Sequence, residues 1–353
     1  MMHNNPMATP PSSETTPIPL QWVGPLSLQS DTGPEEIEVP LATYETTLWP
    51  SAARGARVSC RAGGISCAVL SDQMTRSILL EAPDAATGHR IARALQESRA
   101  SLQEVVATTS RFAKLIHLHP EHLGNLLFLR FAFTTGDAAG HNMTTKAADA
   151  LRGRILTEFP VLRDVSVSGN FCTDKKVSAV NGILGRGKQV IAEAVIPEKW
   201  VSRYLKTSAA RIAELNVKKN LLGSIAAGSL RSGNAHVANL LLGFYLATGQ
   251  DAANIVEGSQ AVTHAEDRAG DLYFSVTLPH LILGTVGNGK GLPHVDEALT
   301  RLGCRETRPE GENARRLARL CAATVWCGEL SLMAALTNPG ELMASHEKYE
   351  RSP

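Results

Sequence analysis

Apolar and polar positions along the chain fall into stretches of contrasting period. Residues 56–83 alternate in three runs, "ARVSCRAG", "ISCAVLSD" and "TRSILLEAP", separated by turn residues. A period of two predicts short antiparallel strands there. Ile91, Leu95, Leu102 and Val106 then recur at helical spacing, which predicts a helix over 87–107. In "NLLFLRFAFTTG", Leu127, Leu129, Phe131 and Phe133 share one face of a strand. "GDAAGHNMTTKAADALRGRIL" reads as a helix opening at Gly136 and Asp137, and "VLRDVSVSG" as another strand, so 125–168 form a strand–helix–strand unit. After residue 185 the pattern turns helical over 198–214, 235–249 and 312–337. Between these lies "DLYFSVTLPHLILGTVG", a strand pair or one strand broken at Pro279. Small residues in "GSIAAGSL" and "NAHVANLLLG" favour close helix packing. No fixed-period repeat is visible. The elements predict an α+β fold: a large helical domain with a small β-rich unit set into it.

The totals narrow the functional classes. The 353 residues carry 35 Lys+Arg against 34 Asp+Glu, so no global field draws nucleic acid or an acidic membrane. No apolar run approaches the ~20 residues that span a bilayer, and "ANLLLGFYLA" reads as a buried core helix. "MMHNNPMATPPSSETTP" has neither a basic nor an apolar signal region, and its Pro, Ser and Thr predict a disordered leader over 1–16. The six cysteines form no C-x-x-C pair and no Cys/His cluster with zinc spacing. They read as reduced, mostly buried thiols of a cytoplasmic protein, with no metal expected.

Candidate chemistry begins at "SGNFCTDKKVS", residues 168–178, where an aspartate precedes two lysines among small or uncharged neighbours. This is either a wet turn or a pair of lysines held for chemistry. "GTVGNGKG" meets G-x-x-x-x-G-K, but Gly291 stands where a magnesium-holding Ser or Thr belongs, so it is no P-loop. "TTGDAAGHNM" runs from a strand into a helix start, which suits either an anion or a plain Asp N-cap. Glu45, Asp251 and His346, taken singly, read as a strand-edge charge, an N-cap and an idle terminal histidine.

Taken in order, "PIPLQWVGPL", "VPLATYE", "SRFAKL", "GDAAGHNM", "VSGNFCTDKKVSAVNGILGRGKQVIAEAVIP", "NAHVANLLLGFYLATGQDAAN", "GTVGNG", "GENARRLARL", "GELSLMAAL" and a late "SH" are specific in identity and spacing. Over about residues 17–352 the chain resembles the class I 3-hydroxy-3-methylglutaryl-coenzyme A (HMG-CoA) reductase family in its soluble catalytic form. The resemblance implies a four-electron reduction of the thioester to mevalonate and coenzyme A with two reduced nicotinamides. It implies a small ferredoxin-like, non-Rossmann NADP(H)-binding domain at 78–166, inserted into a large substrate domain formed by 17–77 and 167–353. It further implies a homodimer or higher homo-oligomer with shared active sites, and no partner among nucleic acids or membranes.

Residue by residue, the resemblance makes Lys175 the ammonium facing the thioester oxygen and Glu45 the general acid. Asp251 becomes the buried carboxylate that would keep Lys175 charged and raise the pKa of Glu45. His346 would protonate the departing thiolate. Arg76, Ser168, Asp174, Lys176 and Asn239 match substrate positions. Ser51, Arg54, Arg57 and Lys219 match positions near the coenzyme A phosphates. Ser110, Arg111, Asp137, Asn142, Met143, Val286, Gly287 and Arg351 match cofactor positions, with Arg111 and Arg351 placed to prefer NADPH over NADH.

Several positions depart from the family pattern. Tyr44 and Thr46 flank the acid where Thr and Gly are usual, which would narrow the pocket. Ala139 and His141 replace methionines of the cofactor turn, Asn288 replaces a glycine, and Glu350 puts a negative charge beside Arg351, leaving NADH as an alternative. The Glu-Asn-Val-Ile-Gly stretch expected before Pro17 is not there, which bears on assembly. The alternatives are a reductase of a different acyl-coenzyme A thioester, or a catalytically silent binding subunit.

Overall fold

The computed structural model describes residues 14–30 and 33–349. Among the described residues, nine strands and a series of helices form around two buried apolar clusters. The chain opens with an antiparallel hairpin, β1 (Leu20–Ser30) and β2 (Gly33–Ala42), bulged between Val23 and Leu26. Helix α1 (Leu48–Arg61) follows, so "ARVSC" is helical rather than a strand. Its buried residues, Leu48, Trp49, Ala52, Gly55, Ala56 and Val58, keep a helical period that outweighs a short local alternation. The two remaining predicted runs merge into one long strand, β3 (Ser66–Glu81).

β3 links two packing units. Its first half pairs with β7 (Gly187–Ile196), from Ser66–Glu193 to Gln73–Gly187. Its second half pairs with β5 (Leu126–Phe133), from Met74–Phe133 to Glu81–Leu126. β4 (Leu115–Leu123) lies outside β5, and β6 (Arg163–Ser166) pairs with β3. β8 (Val262–Arg268) and β9 (Asp271–Leu281) complete the order β4-β5-β3-β7-β9-β8. β9 runs unbroken through Pro279, because its pairing with β8 ends at Thr277 and its pairing with β7 is irregular between Leu278 and Leu281, where the missing N–H falls.

On the second half of β3 lie α2 (Ala85–Glu97), α3 (Arg99–Ala107) and α4 (His141–Glu158). The expected single helix over 87–107 is divided at Ser98, the junction of α2 and α3. These helices cover a cluster that includes Ile78, Leu95, Val106, Leu127, Leu129, Phe131, Phe133, Leu151 and Leu162. Alternate β5 side chains supply its floor, as their spacing predicted.

The larger cluster joins the hairpin, the β3-β7-β9-β8 sheet and the remaining helices, so this part is not purely helical as expected. Helices α5 (Val180–Leu184), α6 (Glu198–Trp200), α7 (Ala209–Leu215) and α8 (Ser224–Ala226) are short, with π-helical turns at Val201–Leu205 and Asn216–Gly223. α9 (Val237–Ala247) is the buried apolar helix expected there. α10 (Ile255–Gly258), α11 (Pro293–Arg301), α12 (Glu312–Thr337) and α13 (Glu341–Tyr349) complete the chain. α12 is long and apolar enough to cross a bilayer, with a window of mean hydropathy 1.5, which corrects the expectation that no such stretch exists. Its arginines 315, 316 and 319 cluster at the start, so the remainder reads as apolar. That window is 89% buried, with Trp326, Leu330 and Met333 in the core. The six cysteines are free thiols, four of them buried.

Candidate active site

Three groups of predicted residues converge on different surfaces of this frame. The first is the loop 168–178 that leads back from β6. Asn170, Thr173 and Lys175 take left-handed φ values of 60°, 45° and 55°. The side chain of Lys175 is not a wet charge: its Nζ lies 2.6 Å from Asp251 Oδ2. That hydrogen bond holds the ammonium pKa above its usual value, against the partial burial that works the other way. Burial pushes the Asp251 carboxyl up, but the hydrogen bonds from Lys175 and the Ala253 N–H leave it below its usual value. Expected as a buried carboxylate, Asp251 has a side chain 45% exposed, because it stands on the turn beyond the C-terminus of α9.

The neighbours of Lys175 are tied inward. Asp174 accepts from the buried guanidinium of Arg186, and Lys176 Nζ donates to the Asp174 carbonyl at 3.0 Å. Arg76 Nε donates to Thr145 Oγ1 at 2.9 Å, and its NH1 reaches Ser168 Oγ at 3.5 Å. The Lys175 N–H donates to Oε1 of the fully buried Glu257 at 3.1 Å.

The second group lines a cavity of about 530 Å³ that gathers Glu45, Ser51, Arg54, Arg57, Asn239 and His346. Glu45 Oε2 accepts from Asn239 Nδ2 at 2.7 Å, and Oε1 faces Thr47 Oγ1 at 3.5 Å. Asn239 is set by the start of α9, where the N–H groups of Ala235 and His236, just before the helix, donate to the buried Glu329 at 2.8 and 2.6 Å. His346 comes in on α13, and Thr46 Oγ1 donates to the Tyr349 carbonyl at 2.8 Å. Tyr44 does not narrow the cavity: it is 67% exposed, and its hydroxyl donates to the Pro17 carbonyl. Arg54 is already engaged by Glu341 and by the Tyr204 and Leu205 carbonyls. Lys219 is not among the lining residues; it donates to Asn220 Oδ1 at 3.0 Å from the π-helical turn, and burial lowers its pKa.

Glu45 and Asp251 do not meet within one chain. Asn239 is at the start of α9 and Asp251 is past its end, roughly 12 Å or more apart along the axis. The expected influence of Asp251 on Glu45 therefore has no intrachain route here.

The third group joins two glycine-bearing turns. Thr285 and Val286 donate their N–H groups to the Asp137 carbonyl at 2.8 and 3.4 Å, and Ala138 bridges Val286. Asp137, Val286 and Gly287 are thus neighbours. The helix after the turn starts at His141, four residues beyond Asp137. Asp137 instead caps α12, accepting from Ala314 N at 2.9 Å and Gly311 N at 3.3 Å. Asn142 and Met143 lie in the first turn of α4, and Met143 packs on the second cluster. Ser110 accepts from the Phe112 N–H, and the Arg111 guanidinium stands 4.6 Å over the Phe112 ring. Arg351 and Glu350 lie outside the described residues.

Sequence reasoning missed what joins these groups. His141 Nε2 is 3.7 Å from Asp174 Oδ1 and links the α4 turn to the lysine loop. Burial lowers the His141 pKa. Gln250 exchanges hydrogen bonds of 2.9 and 3.1 Å with Gly284, and Lys290 donates to the Gly249 carbonyl. Burial, with Arg305 nearby, lowers the Lys290 pKa to about 8. The burial of Arg186, Glu257 and Lys290 was not visible in the sequence, since charge alone does not announce it. No group of His, Cys, Asp and Glu among the described residues could hold a metal.

The family model for hydroxymethylglutaryl-coenzyme A reductase matches residues 14–351. The 3-hydroxy-3-methylglutaryl-coenzyme A reductase of Aeropyrum pernix is 44% identical over 336 residues, 95% of this chain and 79% of that protein. That of Pyrococcus abyssi is 45% identical over 322 residues, 90% of this chain and 79% of that protein. That of Strongylocentrotus purpuratus is 44% identical over 343 residues, 95% of this chain, which spans 36% of that longer protein. Among solved structures, the class II reductase of Streptococcus pneumoniae bound to NADPH superposes with a TM-score of 0.74 at 20% identity, covering 94% of this chain and 88% of that one.

Proposed function

The chain belongs to the hydroxymethylglutaryl-coenzyme A reductase family, and from that premise we propose that it reduces 3-hydroxy-3-methylglutaryl-coenzyme A to mevalonate and coenzyme A. Two reduced nicotinamides and two protons are consumed. The observation that carries the reading is the Lys175–Asp251 ion pair, reached from the glycine-bearing turns through His141 and Gln250.

The residues present suit a dinucleotide. α4 has Gly140 at its N-cap and no side-chain cap, an arrangement that favours a phosphate at its first N–H groups. A Cβ at Gly287 would meet nothing within 4 Å, which leaves room for a ligand against the backbone. Residues 78–166 form the cofactor unit in this reading, with Arg111 favouring NADPH. When bound, the reduced nicotinamide supplies hydride.

Lys175 then stabilises the negative charge that develops on the thioester carbonyl oxygen, a contribution of about 3–4 kcal/mol for one preorganised donor. Asp251 keeps the amine protonated and aimed. Arg76, Ser168, Asp174 and Lys176 hold the substrate's acyl end. When the carbon–sulfur bond breaks, His346 gives a proton to the thiolate, and Glu45, oriented by Asn239, supplies the proton for the alcohol. Glu45 and Lys175 come from different copies of the chain in a homodimer. The separation along α9 supports this, as do the exposed apolar side chains in and just after the lysine loop, Val177 (56%) and Ile183 (69%).

The test follows loss of reduced-nicotinamide absorbance with this thioester and other acyl-coenzyme A esters, separately with NADPH and NADH. Lys175→Ala is expected to abolish turnover in a folded protein, and turnover retained in that variant refutes its role. Wild-type protein that binds neither cofactor would favour the silent-subunit alternative.

A further inference from the structure

Lys175 holds a backbone conformation that a lysine rarely adopts, with φ at 55°. A non-glycine residue in that region costs on the order of 1–3 kcal/mol and persists only where its surroundings enforce it. Here the enforcing group is a carboxylate with no exposure. Glu257 Oε1 accepts the Lys175 N–H at 3.1 Å and Asn254 Nδ2 at 2.9 Å, with Arg186 Nε 3.6 Å away. Arg186 is itself 1% exposed, donates to the Thr75 carbonyl at 2.8 Å and grips Asp174.

The stretch 251–257 thereby holds Lys175 twice. Asp251 takes the side-chain amine, and Glu257, six residues on, takes the main-chain N–H. A buried carboxylate is an expensive way to satisfy two amide donors, since its desolvation is only partly offset by neighbouring charge. No step of the reaction proposed above uses it.

We infer that Glu257 is a positioning residue that fixes the Lys175 backbone in its left-handed conformation, so that the amine meets both Asp251 and the reacting carbonyl. The inference rests on Lys175 being the reacting amine. Gln keeps the accepting oxygen, whereas Leu removes it at similar volume.

The experiment compares Glu257→Gln and Glu257→Leu by steady-state kinetics with the thioester and NADPH, alongside hydrogen exchange resolved to the Lys175 amide. Glu257→Leu is expected to lose about 100-fold in kcat, the scale of a 1 Å misplacement, while KM for both substrates stays within about threefold. Glu257→Gln is expected to recover kcat to within about fivefold of wild type. The Lys175 amide is expected to be protected in wild type and to exchange faster in Glu257→Leu. The inference is overturned if Glu257→Leu keeps wild-type kcat, or if Glu257→Gln is as impaired as Glu257→Leu. A Lys175 amide that exchanges freely in wild type also overturns it, and decides the matter if Glu257→Leu does not fold. Wild-type protein without reductase turnover would sink the functional reading instead, leaving hydrogen exchange to judge the role of Glu257.

Discussion

Gly284 offers a sharp perturbation of the proposed cofactor site. A Cβ built there would stand 2.4 Å from Ala139 N, 2.7 Å from the Ala138 carbonyl carbon and 2.7 Å from the Asp137 oxygen. All three are backbone atoms, so no side chain can swing aside. Ordinary contact begins near 3.4 Å, so the two turns must part by about 1 Å (3.4 less 2.4). Gly284 cannot retreat cheaply, because Gln250 holds both its N–H and its carbonyl, at 2.9 and 3.1 Å. The 137–139 turn must yield instead, and it carries the carboxylate that caps α12. Overpacking of this kind costs about 1–3 kcal/mol, and a 1 Å displacement at a reacting site about 100-fold in rate. Gly284→Ala is therefore expected to lower Tm by several degrees. NADPH binding, followed by fluorescence titration, is expected to weaken by about tenfold or more, with a matching fall in kcat. Gly291→Ala serves as the control, since its Cβ would meet nothing within 4 Å. Should Gly284→Ala bind NADPH and melt as wild type does, the close approach of the turns is not what builds the site.

Gly55→Ala drives a Cβ to 2.0 Å from the Cys327 carbonyl oxygen, where α1 crosses α12; thermal unfolding should show a loss of about 2–3 kcal/mol. His280 is fully buried, and burial followed by the charge of Arg231 lowers its pKa from 6.5 to about 4. Between those values the unfolded chain takes up a proton that the folded one refuses, so stability falls as pH drops from 6.5 to 4. The gap corresponds to about 3 kcal/mol, and His280→Gln should flatten that part of the Tm–pH curve. Lys175, raised, keeps its pairing stability below its usual 10.5 and loses it above the folded value; Asp251, lowered, keeps its own above 3.8 and loses it below the folded value. Both side chains are more than a third exposed, so the pair adds no more than ~1 kcal/mol. Asp251→Ala should barely move Tm, yet bring the alkaline limb of kcat/KM to lower pH.

Long periodic segments were legible in the sequence. α12 begins and ends where its pattern does, and Leu127, Leu129, Phe131 and Phe133 form the buried face expected of β5. Residues 56–61 were not, because five alternating positions cannot outvote a helical period that starts upstream at Leu48. Asp137 misled in another way. Its place before a helix looks like a local N-cap, but its carboxylate serves a helix 174 positions further on. The expectation of chemistry at Lys175 came from motif resemblance, whereas the burial of Arg186 and Glu257 behind it had no local signature. A buried charge is defined by partners that only the fold brings near. The contact between His141 and Asp174 was invisible for the same reason, although the substitution itself stood out.

The rod formed by α12 sets a distance. Its Asp137-capped end and its far end, which leads into α13 and His346, are about 39 Å apart over 26 residues. Folding α13 straight back to His346 recovers only about 9 Å. On the assignments proposed here, the turn that would hold the dinucleotide and the histidine that would protonate the thiolate thus lie about 30 Å apart within one polypeptide. Two polypeptides lying antiparallel would cancel that offset, and mixing two separately inactive variants, one in each group, should then restore turnover.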